Sequence, residues 1–416
     1  MHLREYHLGE EFPQFCGAIS PGRHCPLFGV CSVLRYVSNI SVIYLGTNDC
    51  VYFAQKQYLS GSADDPVKAR VISAELSDGD LIFGVSQQLQ ALISREWEQH
   101  RPTAIYVVTS CSVEVISEDI EGPIRMLDKK LPCKVRLIRT ENFKTLSYLK
   151  GIELTLDALV AGAESLPKKE KTYVLLGARY PGAESCEPAR ILARHGYRAV
   201  SNLPFHCTEE DIRQISQAEF SIVVDGTGIQ TGQRLLKDFG MDCYLFDCRF
   251  DLQKIRSAYE GLARKTGIPL EEFLDTQETR LALQMEDARK KLEGLTFFYG
   301  NVALYPFESV LFLTRLGMVP QCIFVGTAQD HEDTYLEQLK QVCDPELLAN
   351  ANTAAVVDRM EAYHPDVFIG GTVPPQELIR RNVRQTGLPV SPVDCGYSYI
   401  RKVIEKMLEL SREDMP

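Results

Sequence analysis

No stretch of this sequence holds the ~18–20 consecutive apolar residues that a bilayer-spanning helix needs. The opening MHLREYHLGEEF also lacks the apolar core of a secretory signal, so the expected location is the cytoplasm, away from any membrane. Dense Lys/Arg runs are missing, and 45 basic against 56 acidic residues give a net charge of −11. Phosphate-backbone binding needs a basic face, so nucleic acid is not an expected partner. There is no CxxC pair, which leaves a closed tetrathiolate zinc site little support. The spacing CxxCxxCxxxC of bacterial ferredoxins is absent as well. So is GxxxxGK[ST], and any ATP that drives a reaction must be hydrolysed by another component.

Cysteine, by contrast, is plentiful: 13 in 416 residues. A reducing compartment disfavours disulfides, and the odd count argues against a disulfide framework, leaving metal binding, catalysis or inert burial. Cys243 and Cys248 in DCYLFDC, Cys322 in QCIFVG and Cys133 before KVRLI read as small buried hydrophobes. With 45% hydrophobic and 24% charged residues, the composition is that of an ordinary globular chain of several compact units.

Short β-branched or aromatic runs alternate with Gly turns and amphipathic helices, the mark of parallel α/β domains. Three blocks result. Residues 1–165 contain SVIYLGTND, DLIFG, TAIYVVTSC and KVRLIRT, with a helix in QQLQALISREWEQH whose Leu89, Leu92, Ile93 and Trp97 fall near helical spacing. Residues 166–270 begin at the charged break LPKKEKT and run through TYVLLGARY, RAVSNLP, SIVVDGTG and CYLFDCR. Residues 271–416 open with a charged connecting helix over 271–294, acidic at its start and basic at its end. LTFFYGN, PQCIFVGT and DVFIGGT then supply strands, PPQELIRRNVRQTG a helix, and 397–412 a final helix. Sites in such sheets lie beyond the carboxyl ends of the strands, where strand order reverses.

Cys111 ends the apolar run VVTSC and precedes a helix-like stretch, SVEVISEDIEGPIRML. A thiol between a strand end and a helix N-terminus is expected to have a lowered pKa and to be ready as a thiolate ligand. Cys50 occupies the same kind of place after SVIYLGTND, and Cys25 sits in RHCPLFGVCSV at another turn. Three cysteines at three element edges are able to converge. Spacing alone leaves inert burial an equal reading, and Cys16 or Cys31 an alternative to Cys25. His24 reads as a turn residue.

The segment CPLFGVCSVLRYVSNISVIYLGTNDC resembles the N-terminal cluster-binding region of nitrogenase component 1 proteins: Cys, a nearby Gly29, a helical stretch, Gly46, then a second Cys. TAIYVVTSCSVEVISEDIEG resembles the third-cysteine segment of that family, and intervals of 25 residues (Cys25 to Cys50) and 61 (Cys50 to Cys111) suit it. The superfamily includes nitrogenase catalytic subunits, their cofactor-scaffold relatives, tetrapyrrole reductases such as the protochlorophyllide enzyme, and methylthio-alkane reductase. The resemblance implies three Rossmann-like parallel-sheet domains. It implies an iron–sulfur cluster, 4Fe-4S or a larger P-cluster-like form, held by Cys25, Cys50 and Cys111 and completed across a subunit interface. The partners implied are a homologous component 1 subunit in an α2β2 hetero-oligomer and an ATP-dependent iron protein as electron donor. The activity implied is that of a two-component reductase, first of the methylthio-alkane type and second of the tetrapyrrole type. A non-catalytic assembly scaffold is the rival.

Where the family's cofactor-bearing subunit has a Cys in the middle domain and a His in the last, the local contexts SIVVDGTG and SPVDCGYSYIRKV place Asp225 and Cys395. That points to a partner-type subunit with only the interface cluster. Gly226, Gly228 and Gly232 form GxGxxxG, one residue off the dinucleotide fingerprint, and read as a tight strand–helix turn.

Overall fold

Every strand pair among the described residues is parallel. The structure, a computed structural model, describes residues 1–6, 25–50, 52, 56, 68–76, 79, 84–115, 119–140, 148–178, 182, 185–205, 207–300, 305–325, 332–349, 353–371, 373–388 and 394–410. It divides into two compact units, Ser20–Leu245, and Phe246–Pro416 with Met1–Ile19.

The first unit contains two four-stranded sheets. One is built from β1 (Ile40–Gly46), β2 (Arg70–Glu75), β3 (Ala104–Thr109) and β4 (Lys134–Arg139) in the order β2-β1-β3-β4. Its helices are α1 (Pro26–Leu34), α2 (Ser86–His100), α3 (Cys111–Val115), α4 (Glu121–Lys130) and α5 (Tyr148–Val160). Alternation along the strands sorts side chains to two faces, both covered, as a parallel sheet requires. Val42, Tyr44, Tyr106 and Val108 pack with Leu27 and Val30 of α1 and Ile152 and Leu156 of α5. Ile43, Leu45, Ile105 and Val107 pack with Leu89 and Ile93 of α2 and Ile124 and Leu127 of α4.

Eight of the nine residues of α1 are buried, so this helix lies within the core rather than upon it. It crosses α5 at Gly29 and Gly151. A Cβ on Gly29 would lie 2.1 Å from the Tyr148 carbonyl oxygen, and one on Gly151 would lie 1.9 Å from that of Pro26. Only glycines permit so close a backbone approach, and the crossing holds the first turn of α1 in place.

The second sheet has β5 (Thr172–Ala178), β6 (Arg198–Pro204), β7 (Phe220–Val223) and β8 (Asp242–Leu245) in the order β6-β5-β7-β8. Helices α6 (Glu187–Arg194), α7 (Glu209–Arg213) and α8 (Ile229–Phe239) accompany it. In the other unit, α9 (Leu252–Thr266) and α10 (Glu271–Leu292) precede β9 (Thr296–Gly300), β10 (Val319–Val325), β11 (Glu346–Ala349), β12 (Val367–Gly370) and β13 (Arg384–Thr386). These strands lie in the order β11-β10-β9-β12-β13, with α11 (Pro306–Arg315), α12 (Asp333–Val342), α13 (Thr353–Tyr363), α14 (Pro375–Arg380) and α15 (Tyr397–Leu408). The first residues run antiparallel to β11, Leu347 N–H donating to Met1 at 2.7 Å and Leu3 N–H to Pro345 at 3.0 Å, and so cover that edge.

Three similar parallel sheets are thus present, and α10 has its acids and bases at the ends expected. Several expectations are corrected. Arg70–Glu75, which was not anticipated as a strand, forms one edge of the first sheet; the expected strand DLIFG lies outside the described residues except for Gly84. The stretch PPQELIRRNVRQTG is helical only to Arg380 and then forms β13. β11 and α13 were not anticipated, and the final helix stops at Leu408.

Candidate functional site

In the first sheet the chain leaves β1 for β2 on one side and returns to β3 on the other. The carboxyl ends of β1 and β3 therefore flank a crevice where strand order reverses. Leu45 and Thr109 are register partners there, and Ser110 N–H donates to the Leu45 carbonyl at 2.9 Å. A Cβ on Gly46 would meet Ser110 Oγ at 2.5 Å, so the glycine lets the two strand ends close up.

Each sequence-predicted thiol opens at this crevice. Cys25 is the N-cap of α1, followed by Pro26 at the first helical position, where a missing N–H costs nothing. Cys50 lies in the helical turn at 48–50 just beyond β1, its Cβ 3.8 Å from the position a Gly46 methyl would take. Cys111 is the first residue of α3. All three are half-buried. The Cys50 thiol is in hydrogen-bond contact with Cys111 and feels the charge of Cys25. The structure therefore brings Cys25, Cys50 and Cys111 together.

At Cys50 the titration runs against the lowering that its place suggested. Cys50 is held well above the ordinary thiol value, first by its hydrogen bond with Cys111 and then by burial, with Thr47 opposing. Three thiols facing one another repel as thiolates, and a nearby cation is what would bring their protons off. Cys31, one turn into α1, is fully buried, and burial pushes its thiol up to about 12 despite a hydrogen bond with Tyr44. It is a core residue. Cys16 and His24 lie outside the described residues.

Among the described residues, no group of three or more His, Cys, Asp or Glu side chains is placed to hold one metal ion. Ligands of a four-iron cluster stand at separate corners, farther apart than the ~4 Å between sulfurs around one tetrahedral ion. Three soft, half-buried donors fit such a group. Tyr52 and Val115, 58% and 70% exposed, place apolar surface close in sequence to Cys50 and Cys111.

The equivalent crevice of the second sheet is filled by the chain itself. Asp225 is fully buried, and its Oδ1 accepts from Thr227 N–H at 3.0 Å and Thr227 Oγ1 at 2.7 Å, capping the short helix Gly226–Gly228. Gly177 stands so close that a Cβ would meet that of Asp225 at 2.8 Å, and one on Gly232 would meet Cys243 Sγ at 2.6 Å. The GTGIQTG run is thus a strand–helix turn with a packing glycine, as its spacing suggested. Asp225→Ala is expected to cost about 1–2 kcal/mol and Asp225→Asn much less, since Asn also caps. Urea midpoints would show it, and equal midpoints for Ala and wild type would rule out the capping role.

In the other unit, Cys395 is also fully buried, just before Gly396 and α15. The preceding Asp394 accepts from Ser398 Oγ at 2.7 Å, and its carbonyl takes a hydrogen bond from Arg249 at 3.2 Å. Nearby, Glu308 accepts the backbone N–H groups of Arg249, Phe250 and Asp251 at 2.8–3.2 Å. Burial nevertheless raises its carboxyl to about 7, from 4.5, against those hydrogen bonds and the Arg249 charge. The folded chain holds this proton between those pH values while the unfolded chain has lost it. The contribution to stability is complete below about pH 4.5 and is lost as pH rises through 7. Glu308→Gln keeps the acceptor without the charge. From pH 5 to 8 its stability should rise relative to wild type by about 3 kcal/mol at most. A wild-type-to-variant gap in urea midpoints that does not move with pH would contradict this.

Cys133, Cys248 and Cys322 are buried as expected, while Cys243 is only half-buried. Three parallel sheets with three thiols gathered at the first strand reversal define an α/β protein with a soft-metal donor set. The chain belongs to the nitrogenase component 1 type oxidoreductases, whose family description matches residues 25–398. It is 25% identical over 325 residues to the nitrogenase molybdenum-iron protein alpha chain of Methanosarcina barkeri, covering 74% of this chain and 58% of that protein. It is 21% identical over 360 residues to the nitrogenase iron-molybdenum cofactor biosynthesis protein NifE of Methanococcus maripaludis, covering 84% and 74%. The solved structure "Nitrogenase Cp1 at pH 6.5" shares the fold, with a TM-score of 0.67 at 16% identity over 95% of this chain and 90% of that one. No helix among the described residues is long and apolar enough to cross a membrane.

Proposed function

We propose that the chain is the iron–sulfur-binding subunit of a nitrogenase-like two-component reductase, holding its cluster through Cys25, Cys50 and Cys111. The observation behind this reading is the meeting of those three thiols at one strand reversal. Three thiolates leave a four-iron cluster one ligand short. A second component 1 chain, seated against the exposed Tyr52 and Val115, supplies the remainder. Held by Cys25, Cys50 and Cys111, such a group would supply single-electron storage between an ATP-dependent iron protein and the catalytic site. The bound group supplies the redox chemistry, while the chain's residues set its burial, ligand basicity and access. Asp225 as a helix cap and Cys395 as a buried core thiol favour a subunit without a second, larger cofactor. The sequence resemblance makes methylthio-alkanes the first compounds to assay and protochlorophyllide-type tetrapyrroles the second.

A second reading, an assembly scaffold, draws support from the relative NifE, of which this chain covers 74%. Anaerobic co-production with candidate partners, followed by iron, sulfide and mass analysis, tests the shared core of both readings. Iron with acid-labile sulfide in an oligomer of at least two component 1 chains is expected. An iron-free preparation, or a loaded monomer, defeats it. Turnover with the iron protein and ATP then separates the reductase from a scaffold, which would instead pass its cluster to an acceptor.

A further inference from the structure

Helix α3 has only five residues, too few to hold its own shape, yet Cys111 begins it. What ties it down is Glu114, one turn after Cys111 and only 7% exposed. Its Oε1 accepts from Thr109 Oγ1, at the end of β3, and from Thr140 N–H, just past β4, at 2.8 Å. Thr140 Oγ1 in turn donates to the Thr109 carbonyl at 2.8 Å. One carboxyl oxygen thus knits two strand ends to the turn that presents Cys111. The other oxygen, Oε2, is buried and has no hydrogen-bond partner among the described residues. For stability alone this is a poor choice, because a buried carboxyl left half-satisfied is costly and an apolar residue of similar size would serve better.

Resting on the cluster reading above, we propose that Glu114 is a positioning residue for Cys111 and supplies the carboxylate that sets the reduction potential of the group Cys111 binds. Residues three apart on a helix have Cβ atoms roughly 5–6 Å apart, which puts the carboxyl within range of a Cys111-bound centre. In a partly buried site a charge at that range is weakly screened. It opposes the arrival of an electron and holds the potential low, which suits a centre that must pass electrons onward.

The test uses the full chain produced anaerobically with its partner. Three quantities are read for each variant: iron content, melting temperature, and the midpoint from a dithionite titration with mediators. Glu114→Gln keeps an oxygen for Thr109 and Thr140 and removes the charge. It should retain iron while the reduced-to-oxidised ratio at fixed potential rises on the order of tenfold, ~59 mV for a one-electron couple. Glu114→Leu removes the hydrogen bonds too, and should lose iron several-fold while melting at or above the wild-type temperature. Loss of iron from both variants at unchanged melting temperature leaves no midpoint to shift and overturns the potential-setting role. An unshifted midpoint in an iron-loaded Glu114→Gln overturns it, as does iron loss that merely tracks a falling melting temperature. Should Glu114→Leu not fold, Glu114→Gln decides alone through its iron and midpoint. Wild type without iron sinks the parent reading instead, so the two failures are distinct.

Discussion

Cys111→Ala is expected to lower cluster iron by on the order of tenfold or more, and Cys25→Ala and Cys50→Ala to do the same. Outer-shell changes alone commonly cost about 10–100-fold in metal affinity, so loss of a direct donor should cost at least as much. Cys31→Ala is the control. Its thiol, in the same helix α1, is fully buried against the hydroxyl of Tyr44 on β1, so its removal should cost modest stability and no iron. Cys243→Ala, packed beneath Gly232, should behave likewise. The raised Cys50 thiol adds a pH signature. Each thiol that must lose a proton to bind makes apparent affinity fall about tenfold per pH unit below its own pKa, so resistance to a chelator should weaken as pH falls. Wild-type iron content in Cys111→Ala would remove the centre from this site.

How much of this was legible in the sequence follows from what each signal encodes. Central strands such as SVIYLG and AIYVVT are continuous apolar runs because both faces of the sheet are covered, and such runs stand out. Arg70–Glu75 is an edge strand, polar at both ends and half-buried between, so RVISAE carries no comparable signal. The three-residue β13 was hidden in a helix-like charged stretch for the same reason. That Cys50 and Cys111 end up side by side was readable, since both follow central strands that neighbour in such sheets. The direction of the Cys50 titration was not. It depends on which group faces a thiol, and here that is another thiol rather than a helix end alone. Glu114 was invisible for a related reason. Nothing in SCSVEV says that its carboxyl turns inward to two threonines 31 residues apart in the chain, Thr109 and Thr140. Asp225 was half-legible: an Asp before a glycine turn suggests a cap, and burial beneath Gly177 came only with the fold.

Gly151→Ala is expected to damage both fold and centre, although it lies in α5 and bears no donor. The added methyl would sit 1.9 Å from the Pro26 carbonyl oxygen and 2.7 Å from its carbon, and both are backbone atoms that cannot swing aside. Helices α1 and α5 must separate, or α1 must shift along its axis. Either movement opens the packing of Leu27, Val30, Val33 and Leu34 against Ile152 and Leu156, all in one core. Overpacking of this kind typically costs about 1–3 kcal/mol and more where backbone opposes it, so a loss near the upper end is expected. Pro26 is the residue after Cys25, and the displaced atoms are therefore those that fix Cys25 at the crevice. A displacement near 1 Å is large for a metal ligand, so iron should fall out of proportion to stability. Gly29→Ala, 2.1 Å from the Tyr148 oxygen across the same crossing, should reproduce both losses. Gly387→Ala, with nothing within 4 Å of the added Cβ, should change neither by more than ~0.5 kcal/mol or its equivalent in iron. Calorimetry with parallel iron analysis of these three variants checks the argument. Full iron and wild-type melting in Gly151→Ala would mean that the glycine crossing does not hold Cys25 where the centre needs it.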